Sequence, residues 1–121
     1  MIRKASEMEL EVREHMRGGA GSVSIRHFFK QEEFTADVRL CAQATIPPGA
    51  GIGVHEHATE DEVYVVLSGA GMLDDGNTRT RVSAGDAILT GKGESHAIHN
   101  DGAEPLEVLA FIACYPRKET T

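Results

Sequence analysis

The chain has 121 residues and carries 19 acidic against 12 basic side chains, which gives a formal net charge of −7. An acidic protein repels phosphate backbones, and no cluster of lysine and arginine is dense enough to reverse this, so we expect no nucleic-acid partner. Hydrophobic residues make up 40% and charged residues 26% of the chain. This balance is typical of a globular protein and excludes extensive disorder.

We expect neither a signal peptide nor a membrane-spanning segment. Residues 1–20 alternate charged and apolar groups, and no apolar run in the chain reaches the length of a membrane span. Cys41 and Cys114 lie in strand-like apolar runs without the spacing of a zinc site. We interpret them as two reduced core thiols, which are typical of cytoplasmic proteins. We therefore predict a cytoplasmic protein with no membrane partner.

The predicted elements are nearly all strands. Residues 6–16 have a weak helical pattern, which ends at Gly18. Short β-branched runs then alternate with turns rich in glycine, proline and aspartate, and the Asp75-Gly76 pair predicts a tight hairpin. We predict one all-β domain over residues 1–121, with residues 1–21 as an N-terminal extension. Its predicted strands cover residues 22–29, 36–46, 51–57, 62–67, 71–74, 78–82, 87–90, 95–99 and 106–115.

The last predicted strand is apolar on both faces. Leu106 and Val108 begin one face, and Leu109 and Phe111 lie on the other. A strand of a small barrel normally has one face in water, so the outer face needs a cover. A second subunit would cover it, and so would another layer of the same chain, either a second sheet or the N-terminal segment. We expect a homodimer.

Two histidines and a glutamate follow one another in the middle of the chain. His55 and His57 share one face of a predicted strand, and we expect a paired hairpin to bring Glu62 beside them. Two imidazoles and a carboxylate are three ligands of a transition-metal site. Taken singly, a His-x-His pair on a strand and a glutamate at a turn are more often solvent-exposed residues, so the surrounding spacing has to decide.

The spacing around these residues resembles the first motif of the cupin superfamily. Gly49 is followed after five residues by His55-x-His57, after four more by Glu62 and after six more by Gly69. This stretch, residues 49–69, agrees with the family motif at every defined position.

A second stretch, residues 85–100, resembles the second cupin motif. Gly85 is followed after five residues by Gly91, where the family usually has proline, then by Gly93, His96 and Asn100. We interpret Asn100 as a turn or structural residue, and strand alternation turns the neighbouring His99 away from His96. The two motifs occur in the order that the family requires.

The resemblance implies a cupin double-stranded β-helix, a jelly-roll barrel that binds one divalent transition metal per chain. Three imidazoles and one carboxylate leave two adjacent positions open on an octahedral ion, which favours manganese or iron and also suits nickel, cobalt or zinc. The absence of thiolate ligands argues against a closed structural zinc site. The ligands that the resemblance implies are His55, His57, Glu62 and His96.

Within the superfamily, two short segments resemble small one-domain proteins of the oxalate-decarboxylase-like group. They are Arg17-Gly18-Gly19 and the turn Gly93-Glu94-Ser95-His96. The resemblance implies a small-molecule carboxylate such as oxalate as the partner, which suits the interior of a small barrel. The cations that we considered for this carboxylate are Arg26 and Arg39, and the alternation of its strand predicts that Arg39 points outward.

Two residues are candidates for catalysis. Tyr64 shares a strand face with Glu62, and Glu94 lies in the turn before His96, so either could give a proton to a bound substrate. The alternatives are that Tyr64 packs in the barrel wall and that Glu94 is a solvated turn residue.

Three functions agree with this pattern. The first is a metal-dependent enzyme acting on a small carboxylate, as a decarboxylase, dioxygenase or isomerase. The second is a non-catalytic metal- and ligand-binding or sensor module. The third is a sugar-related isomerase or dioxygenase. Because unrelated functions share this fold, the site has to choose among them.

Overall fold

The computed structural model describes residues 1–116, which form strands and three short 3-10 turns. The turns are Ala5–Glu7, Met16–Gly18 and Gln31–Glu33. No helix in this part of the chain is long and apolar enough to cross a membrane. The strands are β1 (Glu9–Glu14), β2 (Ser22–His27), β3 (Val38–Ile46), β4 (Gly51–Glu56), β5 (Glu60–Ser68), β6 (Ala70–Asp74), β7 (Arg79–Ser83), β8 (Ala87–Thr90), β9 (Ser95–His99) and β10 (Leu106–Cys114).

These strands form two antiparallel sheets. One has six strands in the order β1-β2-β3-β10-β5-β8, and the other has four in the order β4-β9-β6-β7. Both sheets contribute to a single hydrophobic cluster between them, for example through Val66 and Val108 from one sheet and Ile98 from the other. The all-β barrel predicted from the sequence is confirmed, as is the hairpin at Asp75-Gly76, which joins β6 to β7.

The N-terminal segment differs from the prediction. Residues 6–16 were expected to have helical character, but they form the end of a 3-10 turn and then strand β1. Strand β1 pairs with β2 from Glu9 opposite His27 to Glu14 opposite Ser22. Leu10 and Val12 alternate with charged residues at a period of two, and an available strand edge satisfies that pattern better than a helix.

The outer face of the six-stranded sheet carries two apolar rows. The strand register places Leu89, Val63 and Phe111 side by side in one row. Ala87, Val65 and Leu109 form the next row. Leu89 is 68% exposed, so residues 1–116 leave this face open on the β8 side. We call these six residues the outer apolar patch.

The segment between β1 and β2 lies directly against β4. The Ala20 carbonyl accepts a hydrogen bond from the Gly51 backbone N–H at 3.0 Å. A Cβ on Gly53 would collide with the Arg17 carbonyl, and a Cβ on Gly19 would collide with the Gly51 carbonyl. Glycine at these places therefore allows two backbones to approach more closely than side chains permit.

Asn100 is a structural residue, as the second motif suggested. Its side chain is fully buried and donates hydrogen bonds to the backbone carbonyls of Ile46 and Glu104, both at 2.8 Å. Its side-chain oxygen accepts the Gly102 N–H at 3.0 Å. One amide group thus holds the end of β3 to the turn between β9 and β10.

We predict that Asn100→Ala lowers the free energy of unfolding by about 3 kcal/mol, because an unpaired buried polar group costs roughly 1–3 kcal/mol. Urea denaturation measures the change. Asn77→Ala is the control, since Asn77 is exposed in the β6–β7 turn, and it should change stability by less than about 0.5 kcal/mol. Equal stability of the two variants would contradict this account.

Candidate metal centre

The four predicted ligands meet at one end of the barrel. His55 on β4 lies opposite His96 on β9 in the strand register. His57 follows the end of β4, and Glu62 reaches the same point from β5 in the other sheet. The expected hairpin is not present, because β4 pairs with β9 whereas β5 pairs with β10 and β8. Residues 57–59 instead carry the chain from one sheet to the other.

The ligand atoms are close enough to share one ion. The Oε1 atom of Glu62 lies 2.9 Å from Nε2 of both His57 and His96, and 3.5 Å from Nε2 of His55. The Nε2 atom of His96 lies 3.1 Å from that of His57 and 2.9 Å from that of His55. Ligands at right angles around one ion, each about 2.1 Å from it, lie about 3.0 Å apart, whereas tetrahedral ligands lie about 3.4 Å apart. Most of the distances agree with right angles.

The outer nitrogen of each imidazole has its own partner. Nδ1 of His55 lies 2.7 Å from the Gly53 carbonyl, and Nδ1 of His57 lies 2.8 Å from a Glu60 carboxylate oxygen. Because both oxygens can only accept, these Nδ1 atoms carry the proton and each Nε2 presents a lone pair. Nδ1 of His96 lies 2.8 Å from the Thr90 hydroxyl, which can also accept.

This arrangement fits a metal cage. Three imidazole lone pairs and a carboxylate oxygen converge on one point, where they repel one another. A cation at that point would attract all four ligand atoms and remove this repulsion. His57, Glu62 and His96 are almost completely buried. The cluster is therefore able to hold a metal ion, and it is the only such group of four in residues 1–116.

The charge states of the cluster suit this role. Burial alone would raise the pKa of Glu62, but its contacts with the imidazoles of His55 and His96 lower it to about 2, so the group is a carboxylate. Burial lowers the pKa of His96 despite the neighbouring carboxylate. A neutral imidazole and an ionised carboxylate are the forms that bind a metal.

Glu60 was not singled out from the sequence, yet it touches a predicted ligand. It accepts the His57 Nδ1–H and is held by two hydrogen bonds from Arg39, at 2.6 and 2.8 Å. The Arg39 guanidinium lowers the pKa of Glu60 and keeps it ionised. A glutamate three residues after a histidine is too common a pattern for sequence alone to identify this contact.

Arg39 was predicted to point outward, and its side chain is 40% exposed, but it also reaches Glu60 at the site. The pairing of β3 with β10 shifts register so that Ile112 faces Leu40 and Ala113 faces Val38. No residue of β10 therefore lies opposite Arg39. Such a bulge redirects a side chain, and Arg39 lies at the rim of the metal cavity. The other cation considered, Arg26, donates to Gln43 at 3.2 Å and does not line that cavity.

Tyr64 lies inside the site. Its ring stacks on that of His96, with centroids 4.7 Å apart and an angle of 10° between the planes. Burial, reinforced by the charge of Glu62, raises the pKa of Tyr64 well above its usual value, so the phenol remains protonated and has a proton to donate in a hydrogen bond. Both sequence interpretations, wall packing and hydrogen-bond donation, agree with this position.

Glu94 lies outside the cavity. It is exposed in the turn before β9, where its carboxylate accepts the Gly91 backbone N–H at 3.2 Å. This contact favours the interpretation as a turn residue, and its catalytic role stays a prediction.

The cavity above the cluster is small. Its volume is about 130 Å³, the space of roughly four water molecules. Apolar side chains, among them Ile52 and Leu40, line its walls, and arginines lie at its rim. A larger hollow of about 600 Å³ lies on the outer side of the four-stranded sheet, but none of the four ligands lines it, so we place the chemistry in the smaller cavity.

One family model and several known proteins are similar to this chain. The cupin domain model matches residues 42–112. An oxalate-binding protein of Thermotoga maritima is 39% identical over 112 residues, which cover 93% of each chain. An uncharacterised protein of Methanocaldococcus jannaschii is 35% identical over 89 residues, which cover 74% of this chain and 70% of that protein.

A solved structure agrees with the fold over nearly its whole length. The crystal structure of a predicted oxalate decarboxylase from Thermotoga maritima has a TM-score of 0.90 and 38% identity. The match covers 94% of this chain and 99% of that one. Sequence, fold and the four converging ligands lead to the same conclusion: this chain belongs to the cupin family.

Proposed function

We propose that this protein binds a small dicarboxylate such as oxalate on a divalent transition metal held by His55, His57, Glu62 and His96. The convergence of the four ligand atoms beneath a cavity of about 130 Å³ carries the proposal. The relative from Thermotoga maritima, described as an oxalate-binding protein, supports the choice of ligand.

The donor set favours manganese or iron. Imidazole and carboxylate ligands without thiolate suit these ions, and ligands at right angles leave two neighbouring positions open. When bound, such an ion supplies Lewis acidity to a ligand oxygen. The chain itself supplies the apolar walls that exclude water and a protonated phenol, that of Tyr64, on the cavity wall.

Binding without turnover agrees best with the residues around the cavity. No acidic side chain other than Glu62 lines it in residues 1–116, so Tyr64 is the nearest candidate proton donor. Decarboxylation, oxygenation and a sugar-related reaction all stay predictions, as does the cytoplasmic location.

We also propose that the protein is a homodimer. The outer apolar patch carries the observation, because contiguous apolar surface of this kind marks an interface. Of the covers considered, the second sheet packs on the inner face and β1 pairs at the far edge next to β2. These positions support a second copy of the chain as the cover of the patch.

The first prediction of this function concerns metal content. Purified wild-type protein loaded with manganese should hold about one ion per chain, and His57→Ala and Glu62→Gln should retain less than about a tenth of it, because each removes a ligand. Elemental analysis measures the content. His99→Ala is the control, since His99 lies on the same strand as His96 but is exposed on the other side. Full retention in both ligand variants would contradict the proposal.

Calorimetric titration then tests the ligand. Oxalate should bind the metal-loaded protein and show no binding after the metal is removed with a chelator, because the proposed contact is through the ion. Binding of equal strength to both forms would show that oxalate lies elsewhere.

Glu60→Ala should raise the Kd for manganese about 10- to 100-fold, since the acceptor that orients the ring of His57 is lost. Glu56→Ala is the matched control, because Glu56 lies between the two histidines but is exposed on the opposite face. Competition with a fluorescent chelator gives both Kd values. An unchanged Kd in Glu60→Ala would show that His57 does not need this partner.

Light scattering after size exclusion tests the dimer. Wild-type protein should have the mass of two chains, and Leu89→Glu should be monomeric because a charge in the outer apolar patch opposes its burial. Val54→Glu, a change of the same kind at a residue that is 70% exposed on the other sheet, should remain dimeric. A monomeric wild-type protein would overturn the proposal.

A further inference from the structure

Three arginines line the rim of the metal cavity, and two of them are already paired. Arg13 donates to the Glu11 carboxylate at 2.9 Å. Arg39 holds Glu60 at 2.6 Å. Within residues 1–116, Arg17 makes neither an ion pair nor a side-chain hydrogen bond. Arg17 is therefore the one cation at this rim whose guanidinium is available to a ligand.

The backbone of Arg17 is held in place. Its φ of 54° and ψ of 30° lie in the left-handed region, which non-glycine residues rarely adopt. Its carbonyl packs against Gly53 of β4, two residues before the ligand His55. The Gly19 N–H closes the turn on the Met16 carbonyl at 2.9 Å. Strained backbone that is fixed by its surroundings is typical of functional sites.

Arg17 belongs to the wall of the metal cavity. It lines this cavity together with the ligands His55 and Glu62, although its own residue is exposed. Its guanidinium is therefore within reach of both the cavity and the solvent.

The positive charge of the metal site is too small to neutralise a bound dicarboxylate. A divalent ion and the Glu62 carboxylate leave a single positive charge among three neutral imidazoles. A monocarboxylate neutralises that charge, whereas a dicarboxylate leaves one negative charge in a largely apolar cavity, and such a charge needs a partner. Arginine provides paired N–H donors that match the geometry of a carboxylate.

We infer that Arg17 is the specificity-determining residue of the site. Its guanidinium binds the carboxylate group of a dicarboxylate ligand whose charge the metal does not neutralise. This rests on the proposed function, since it presumes a metal-bound carboxylate. Arg17 thereby selects a dianion of short length, with one carboxylate at the ion and the other at the rim.

The test compares oxalate and acetate binding by calorimetry on manganese-loaded wild type, Arg17→Gly and Arg17→Lys. Glycine suits the left-handed backbone, so that variant removes the side chain without adding strain. Oxalate affinity should fall roughly 10- to 100-fold in Arg17→Gly, as expected for a lost hydrogen bond to a charged group, and recover in part in Arg17→Lys. Acetate affinity and metal content should stay within about twofold. Arg26→Gln, which removes a cation outside the cavity that is paired with Gln43, should behave as wild type.

Each outcome decides between the inference and its alternatives. Unchanged oxalate affinity in Arg17→Gly overturns the inference and leaves the proposed function intact. An equal loss of oxalate and acetate affinity, or a loss of metal, assigns Arg17 a general electrostatic or structural role and overturns it as well. Wild-type protein that holds metal but does not bind oxalate overturns the proposed function itself.

Discussion

The site depends on which nitrogen of each imidazole carries the proton. A neutral imidazole offers one N–H and one lone pair, and the acceptor at its outer side decides which faces inward. Here those acceptors are a backbone carbonyl on β4, a carboxylate on β5 and a hydroxyl on β8. The first two contacts are local in the chain, whereas the third joins β9 to β8 in the other sheet, so the orientation of the His96 ring is set only when the sheets have assembled.

The ligands also connect the two sheets. His55 and His96 come from the four-stranded sheet and Glu62 from the six-stranded sheet. An ion bound by all of them would join the sheets at a point where the hydrophobic cluster ends, and its binding free energy would add to the stability of the fold. Function and stability therefore share the same small group of side chains.

Much of the fold could be predicted from the sequence because strand alternation is a local property. Parity placed His55 and His57 on one face, and the spacing of the motifs added Glu62 and His96. The N-terminal strand was missed because its six residues, in which apolar and charged side chains alternate, form a strand only beside an unoccupied sheet edge. The sequence does not show which edge will be free. The expected β4–β5 hairpin failed for the same reason, since pairing depends on which strand lies beside it.

The contacts that support the site are harder to predict. Glu60 reaches His57 through a turn, and Arg39 reaches Glu60 through a bulge in β3. The three-residue spacing of the first contact is too common to identify it, and the second joins residues that are 21 positions apart, with no spacing that a pattern could record. Arg17 comes from a segment far from both motifs, and only the close packing of two backbones brings it to the rim.

That close packing has a consequence for how such a cavity can diversify. The loop carrying Arg17 lies against β4 at the distance that Gly19 and Gly53 permit. A methyl group at either glycine would collide with the facing backbone and push the loop outward, which would increase the distance between the rim and the metal ligands. A substitution that touches no bound molecule would thus increase the distance from the metal ligands to Arg17. The length of ligand that fits this barrel is therefore set in part by residues outside the cavity.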